Sequence, residues 1–271
     1  MTRPAPRGNL LRPVVQDVLS EPSRAVENLL RANLERVRER IARAALAVGR
    51  APAEVALLAV TKTVDASTIA ALVRLGQRDL GENRVDVLGP KVEALRQLGH
   101  APRWHMIGHL QRNKARRAVE SASVIHSVDT TRLLETLSRQ AGELGRELEI
   151  YLEVRAVDEG ERSGFSMAEI PAAAELAAQL PHLRLRGLMA MAAPSEQARP
   201  FDLPSQLEAR RTFAAVRRLG ESLPAQLFEG GRVEYSTGMS SDLEAAIAEG
   251  STCVRIGTAL FEGLRTAGEE P

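Results

Sequence analysis

Val55-Ala56-Leu57-Leu58-Ala59-Val60-Thr61-Lys62-Thr63 is an apolar run that ends abruptly in a lysine. Apolar residues in unbroken succession, closed by polar ones, fit a strand buried on both faces, as parallel sheets require. In α/β barrels such strands carry their functional side chains at their C-terminal ends. Lys62 stands in that place, where a partly desolvated lysine has a lowered pKa and attacks carbonyls as a free amine. A lysine whose long stem merely carries its ammonium to water fits the same position, and this segment alone leaves both readings open.

The same strand-then-helix rhythm runs outward in both directions. Before the run, Val26, Leu29, Leu30, Leu34, Val37, Ile41 and Ala45 recur at helical spacing, with Ser23 as a cap and Gly49 as a stop. After it, residues 67–75 read as a helix and 78–83 as a short strand. Residues 85–98 form the next helix, which Gly89-Pro90 should kink or break. Strands follow at 103–108 and 123–127, the latter ending at Val128-Asp129, whose aspartate suits the cap of a helix over 131–144. Residues 148–154, 183–189, 232–235 and 252–256 complete the strands, with helices over 168–180, 207–219 and 242–249 between them and 258–264 after the last. About eight βα units close a parallel barrel, so a single (β/α)8 TIM-type barrel with an extra N-terminal helix is the expected fold, a doubly wound open sheet being the alternative.

The chain has 271 residues, close to a typical barrel length. A proline-rich extension over 1–22 is expected to precede a barrel domain over 23–271. Lys and Arg number 36 against 35 Asp and Glu, so no overall field recruits nucleic acid or an anionic membrane, and an anionic ligand must be held locally. The single cysteine, Cys253, excludes an internal disulfide framework and reads as a buried, inert thiol. No apolar run approaches the length of a membrane span, and residues 1–23 lack the apolar core of a signal peptide. A cytoplasmic protein is expected.

Two late segments have the form of anion sites. In Tyr235-Ser236-Thr237-Gly238-Met239-Ser240-Ser241-Asp242 a strand passes through a glycine turn into a helix, which converges N–H groups and serine hydroxyls. In Val254-Arg255-Ile256-Gly257-Thr258 the next strand ends in the same way. These are the loops after strands seven and eight, the usual phosphate position in such barrels, although Ser240 or Ser241 would serve equally as a plain helix cap. Arg255 reads either as an ion-pair residue or as a donor to a ring nitrogen, which would then have to be an unprotonated acceptor. Glu82 and Asn83 offer further positioning groups. His105 and His109 are separated by a strand end and a turn, metal-ligand spacing is absent elsewhere, and no metal site is expected. No nucleophilic-serine elbow or dinucleotide-binding glycine pattern occurs.

Leu58-Ala59-Val60-Thr61-Lys62, Gly81-Glu82-Asn83, Trp104-His105-Met106-Ile107-Gly108-His109-Leu110-Gln111-Arg112-Asn113-Lys114, His126-Ser127-Val128-Asp129, Arg186-Gly187-Leu188-Met189-Ala190, Gly238-Met239-Ser240-Ser241-Asp242-Leu243-Glu244-Ala245-Ala246-Ile247 and Val254-Arg255-Ile256-Gly257-Thr258 together resemble the pyridoxal phosphate homeostasis proteins. The resemblance runs in order from about residue 25 to 263. It implies one barrel like the N-terminal domain of alanine racemase, with pyridoxal 5′-phosphate bound as a Schiff base on Lys62. Phosphate contacts map to Ser240 with Gly238 and Met239, and to Gly257 and Thr258. Arg255 maps to the pyridine nitrogen, and Asn83 and Met189 to the lining of the ring.

The family lacks the second domain that supplies racemases with an opposing catalytic group, and the same is expected here. Racemisation needs proton transfer on both faces of the α-carbon, and Lys62 serves only one. The resemblance therefore implies a carrier that buffers the cofactor, with apoenzymes that use it as possible recipients. An amino-acid racemase or another Schiff-base lysine enzyme is the alternative. Departures from the family pattern are Val64 and Arg162 at positions where lysines are common, Arg84 in place of an aromatic, and Thr237 in place of a methionine.

Overall fold

The computed structural model describes residues 23–156, 163–192 and 203–264. The extension over 1–22 and Arg162 lie outside the described residues. Nine strands are described: β1 (Ala56–Val60), β2 (Asp79–Glu82), β3 (Arg103–Met106), β4 (Val124–Val128), β5 (Leu148–Arg155), β6 (Phe165–Ser166), β7 (Leu183–Met189), β8 (Glu234–Ser236) and β9 (Cys253–Ile256). The helices are α1 (Arg24–Ala47), α2 (Ala66–Arg74), α3 (Val85–Gln97), α4 (Ala115–Ser121), α5 (Thr131–Glu143), α6 (Ile170–Gln179), α7 (Leu203–Glu221) and α8 (Leu243–Ala248).

All pairings are parallel, and the order β4-β3-β2-β1-β9-β8-β7-β5 closes on itself through β4 and β5. Only β6 stands outside the ring, paired to the end of β5. The (β/α)8 barrel is therefore the fold, and the open sheet is not. Strands that face helices on one side and one another on the other side bury both faces, which is why β1 reads as a continuous apolar run and every residue of β4 is buried. Cys253 is buried at the start of β9, and burial pushes its thiol up to about 12, in keeping with an inert side chain.

The N-terminal helix is not an appendage. Residues 258–264 form turns in place of a helix after β9, and α1 packs against both α8 and α2. It thus fills the outer position that a helix following β9 would occupy. Its buried face, Leu30, Leu34, Val37, Ile41 and Ala45, also holds Asn33, whose Nδ2 donates to the carbonyls of Leu260 at 3.1 Å and Glu262 at 2.9 Å. That amide ties the final turns to α1 and satisfies backbone acceptors that no helix takes up.

One local expectation is corrected, and the kink or break expected in α3 is narrowed by the absence of a break. Thr130, not Asp129, caps α5, because its hydroxyl reaches Leu133 N at 3.3 Å while the Asp129 carboxylate turns to His109 at 3.1 Å. Helix α3 continues through Gly89-Pro90 without a break. Proline removes one donor and one bond there, and burial of Val85, Leu88 and Leu95 holds the helix on both sides of it. Among the described residues no helix is long and apolar enough to cross a membrane.

Replacing Asn33 by Ala leaves the Leu260 and Glu262 carbonyls without their donor, which should lower stability by about 2 kcal/mol. Asn33→Asp should do no better, since a carboxylate has no N–H to give. Urea unfolding midpoints measure both. A change below about 0.5 kcal/mol, the scale of an ordinary surface substitution, would show that the clamp does not matter.

Candidate functional site

Every residue assigned to the site from the sequence lies in or just past the C-terminal part of β7, β8, β9, β1 or β2, which are consecutive neighbours in the ring. The mouth of the barrel thus gathers Met189, the loop of Gly238, Met239 and Ser240, Arg255 with Gly257 and Thr258, then Lys62 and Asn83. Parallel pairing alone brings these ends together.

Lys62 follows β1 by two residues and is exposed, with no hydrogen bond or ion pair among the described residues. The partial desolvation expected of it is therefore absent. The reason is local: Thr61 ends the buried run, its hydroxyl bonded to the Gly81 carbonyl at 3.2 Å, and the chain then turns outward at the rim. Beneath it stands a lysine that the sequence reading missed. Lys91 Nζ, from α3, lies 2.7 Å from the fully buried Glu82 carboxylate and 2.8 Å from the Thr61 carbonyl. Glu82 in turn accepts the Asn83 N–H at 2.9 Å. This set of contacts locks the ends of β1 and β2 together. A buried strand-end carboxylate demands a cation, and that demand was the signal available in the sequence. Val64 is buried in the core.

The loop after β8 is shaped by Gly238, at φ 92°. A Cβ there would lie 2.6 Å from Ala246 Cβ, so only glycine fits both the turn and the space. Its carbonyl accepts Arg255 N at 2.9 Å, which sets the loop against β9. Met239 N is taken by the Asp242 carboxylate at 2.5 Å, and burial raises the pKa of that carboxyl. Arg40 of α1 holds the Ser240 carbonyl at 2.8 Å and pairs with Glu244, so the outer wall of the loop is braced from the first helix. Gly257 lets the end of β9 close on β1: a Cβ there would sit 3.2 Å from the Val60 carbonyl. Thr258 beside it is exposed.

Asn83 is half-buried beside a cleft of about 230 Å³ shared with His109 and Lys114. Met189 lies deeper, buried against Val124 and Tyr151. Arg255 is buried inside the barrel. Its Nη1 donates to the backbone carbonyl of Ser236 and to Ser236 Oγ at 2.8 Å, and its Nη2 donates to the Ala190 carbonyl at 3.1 Å. Burial lowers its pKa but leaves a guanidinium charged. The expected alternative of an ion pair is not what the structure shows, since its hydrogen-bond partners are all neutral oxygens. Its Nε–H and one Nη2–H stay uncommitted among the described residues.

Two buried histidines below Arg255 complete the interior. His126 Nδ1 lies 2.8 Å from Ser236 Oγ, His126 Nε2 lies 2.9 Å from His105 Nδ1, and His105 Nε2 lies 3.0 Å from Asp79. Tyr151 stacks on His126 with ring centres 4.4 Å apart and donates to Glu234 at 2.6 Å. His105 and His109 therefore have separate partners. Burial holds His105 below the usual range although Asp79 opposes it, and holds His126 well below, with nearby His105 and Arg255 adding to the effect. Glu153, on β5, is buried with one carboxyl oxygen unpartnered among the described residues, and burial raises its pKa.

An unpartnered amine, a glycine cradle at a strand end and a buried cation with spare N–H groups suit a phosphorylated heteroaromatic aldehyde: amine for carbonyl, backbone donors for phosphate, guanidinium for ring nitrogen.

Residues 29–264 match the family model described as alanine racemase, N-terminal domain. The chain is 41% identical over 231 residues, 84% of its length and 94% of the relative's, to the pyridoxal phosphate homeostasis protein of Escherichia coli K12. Among solved structures, PipY of Synechococcus elongatus PCC7942 with PLP bound is 35% identical, with a TM-score of 0.73 over 86% of this chain and 99% of that one. The alanine racemase of Clostridium difficile 630 shares the fold at 15% identity and TM-score 0.61, and the match covers 86% of this chain and 56% of that one.

Histidines kept neutral in the fold make stability depend on pH. Their folded pKa values are depressed, so their contribution is complete above the unfolded value of about 6.5 and is lost as pH falls from there toward the folded values. Urea unfolding at pH 7.5 and 5.5 should show wild type losing up to about 1.4 kcal/mol for each ring that stays neutral one pH unit below the unfolded value. His105→Gln should lose less. The comparison isolates the ring from Glu153 and Asp242, whose raised pKa values act in the opposite sense. Equal losses in both proteins would refute the buried neutral imidazole.

Proposed function

The chain belongs to the pyridoxal phosphate homeostasis protein family, and on that premise we propose that it binds pyridoxal 5′-phosphate, holds it through Lys62 and buffers its free concentration. The observation that carries this reading is the placement of exposed Lys62, unpartnered among the described residues, just past the strand next to that of Arg255 and one strand from the Gly238 loop. Pyridoxal phosphate supplies an aldehyde that a lysine amine captures as a Schiff base with loss of one water.

This chain's residues do the rest. Gly238, Met239 and Ser240, with Gly257 and Thr258, receive the phosphate. Asn83 and Met189 bound the ring. Arg255 donates to the pyridine nitrogen from one of its uncommitted N–H groups. A guanidinium keeps its proton, so that nitrogen stays an acceptor without a proton of its own, and the ring is a poorer electron sink. That favours holding the cofactor over turning over an amino acid on it. Exposure of Lys62 leaves the linkage open to water and to amines, as loading and release require, and apoenzymes that use the cofactor are the recipients this chemistry fits.

Mixing the protein with pyridoxal phosphate should give an absorption band near the visible edge that borohydride abolishes, and digestion should place the reduced label on the Lys62 peptide. Lys62→Ala should lose both. An adduct formed as fully at another lysine in that variant would sink the assignment, and loss of optical rotation from alanine at enzyme-like rates would overturn the carrier reading.

A further inference from the structure

Arg255 is a cation buried in the barrel with no carboxylate bonded to it among the described residues, and such a charge is costly unless something offsets it. Glu153 and Asp242 lie near enough to favour its charge without bonding to it. The hydrogen-bonded path from it to a carboxylate runs through the histidines, and its chemistry allows only one arrangement of protons.

The path begins at Asp79, at the opposite end of the barrel, where the first residue of β2 borders a cleft of about 570 Å³ lined also by Arg38, Gln77 and Arg78. The bond from His105, with Arg103 nearby, holds its carboxyl below the usual range, so it is ionised and only accepts. His105 Nε2 must therefore carry a proton. The ring is neutral, which leaves Nδ1 bare, so the proton between the two rings belongs to His126 Nε2. His126 is neutral for the same reason, its Nδ1 is bare, and the Ser236 hydroxyl must donate to it. Ser236 Oγ then has lone pairs for Arg255 Nη1. Every donor points the same way, from guanidinium to carboxylate. The opposite order would set a bare nitrogen against an ionised oxygen.

We propose that Asp79 is the remote counter-ion of Arg255, acting through His105, His126 and Ser236 as a one-way hydrogen-bond relay that positions the guanidinium for the ring nitrogen of the cofactor. The last clause rests on the proposed ligand; the relay itself does not. Hydrogen bonds in a chain polarise one another, and here the aligned dipoles lie between opposite charges, so each link strengthens the next. Arginine cannot give up its proton, so the relay conducts none to the ligand. Its effect is to fix which Arg255 N–H groups are spent inward and which remain for a ligand. These four residues are positioning residues, and none is assigned contact with the cofactor.

Nitrogen-15 spectra of the full chain labelled at histidine, without cofactor, read the relay directly. Both His105 and His126 should be neutral with the proton on Nε2 at pH 7.5. A charged ring, or a proton on either Nδ1, would overturn the proposal without any variant being made. Asp79, a third exposed, then gives a safe substitution. In Asp79→Asn the His105 tautomer should become mixed, the absorption band of the bound cofactor should shift, and its release should quicken at least fivefold, while Asp79→Glu should restore all three toward wild type. Wild-type tautomers, band and release rate in Asp79→Asn would overturn the counter-ion role. Failure of wild type to bind pyridoxal phosphate at all would sink the functional reading, and the tautomers would still decide the relay.

Discussion

A guanidinium enclosed by the barrel is the constraint from which the interior follows. Arg255 comes from β9, the strand between β8 and β1, so whatever satisfies it must come from the strands it can reach. The carbonyls of Ser236 and Ala190 lie at the ends of β8 and β7, where the ladder is running out; Ser236 O takes the guanidinium beside its last ladder bond, from Ala190 N at 3.2 Å. A charge at this depth thus sits where parallel strands end, the one level inside the barrel at which the backbone can still pay out hydrogen bonds. Below that level only side chains serve, which is why Ser236, His126 and His105 stand beneath it where a barrel interior is otherwise filled by apolar layers.

The outer ring is organised around the same mouth. Helix α1 takes the place left vacant after β9, and in doing so brings Arg40 to the Ser240 carbonyl and Glu244. The loop assigned to phosphate is therefore braced by a residue some two hundred positions earlier in the chain. On the other flank, Lys91 neutralises buried Glu82 and holds the Thr61 carbonyl directly before Lys62. The exposed lysine stands on a rigid base, so its freedom is confined to its own side chain.

What was legible in the sequence was local. Apolar runs of strand length, separated by helical spacing, were enough for the barrel, and Lys62, Gly238 and Gly257 were visible because a strand end followed by lysine or glycine is a pattern of neighbours. Partners brought together by closure were not visible. His126 and Ser236 are 110 positions apart, and nothing near either one says that they meet. His105 was weighed against His109 because they are close in sequence, whereas the ring actually faces Asp79 across the β2–β3 pair, where Asp79 aligns with Arg103. The cap of α5 failed for a smaller reason of the same kind: His109, arriving from another loop, competes for Asp129.

The exposure of Lys62 bears on which kind of site this is. A lysine that must deprotonate a substrate gains from burial, which depresses its pKa and keeps water from its intermediates. A lysine that must take up and give back an aldehyde gains from the reverse, because both directions consume or release water and release is completed by another amine reaching the same carbon. The structure places the open lysine at the rim, and in the proposed reading its buried cation faces the far end of the ligand. Binding strength then resides in groups that do not take part in exchange, while the exchanging bond stays accessible. Such a division permits tight holding and easy transfer at once, and a site built to enclose its reacting carbon would give up the second to gain the chemistry.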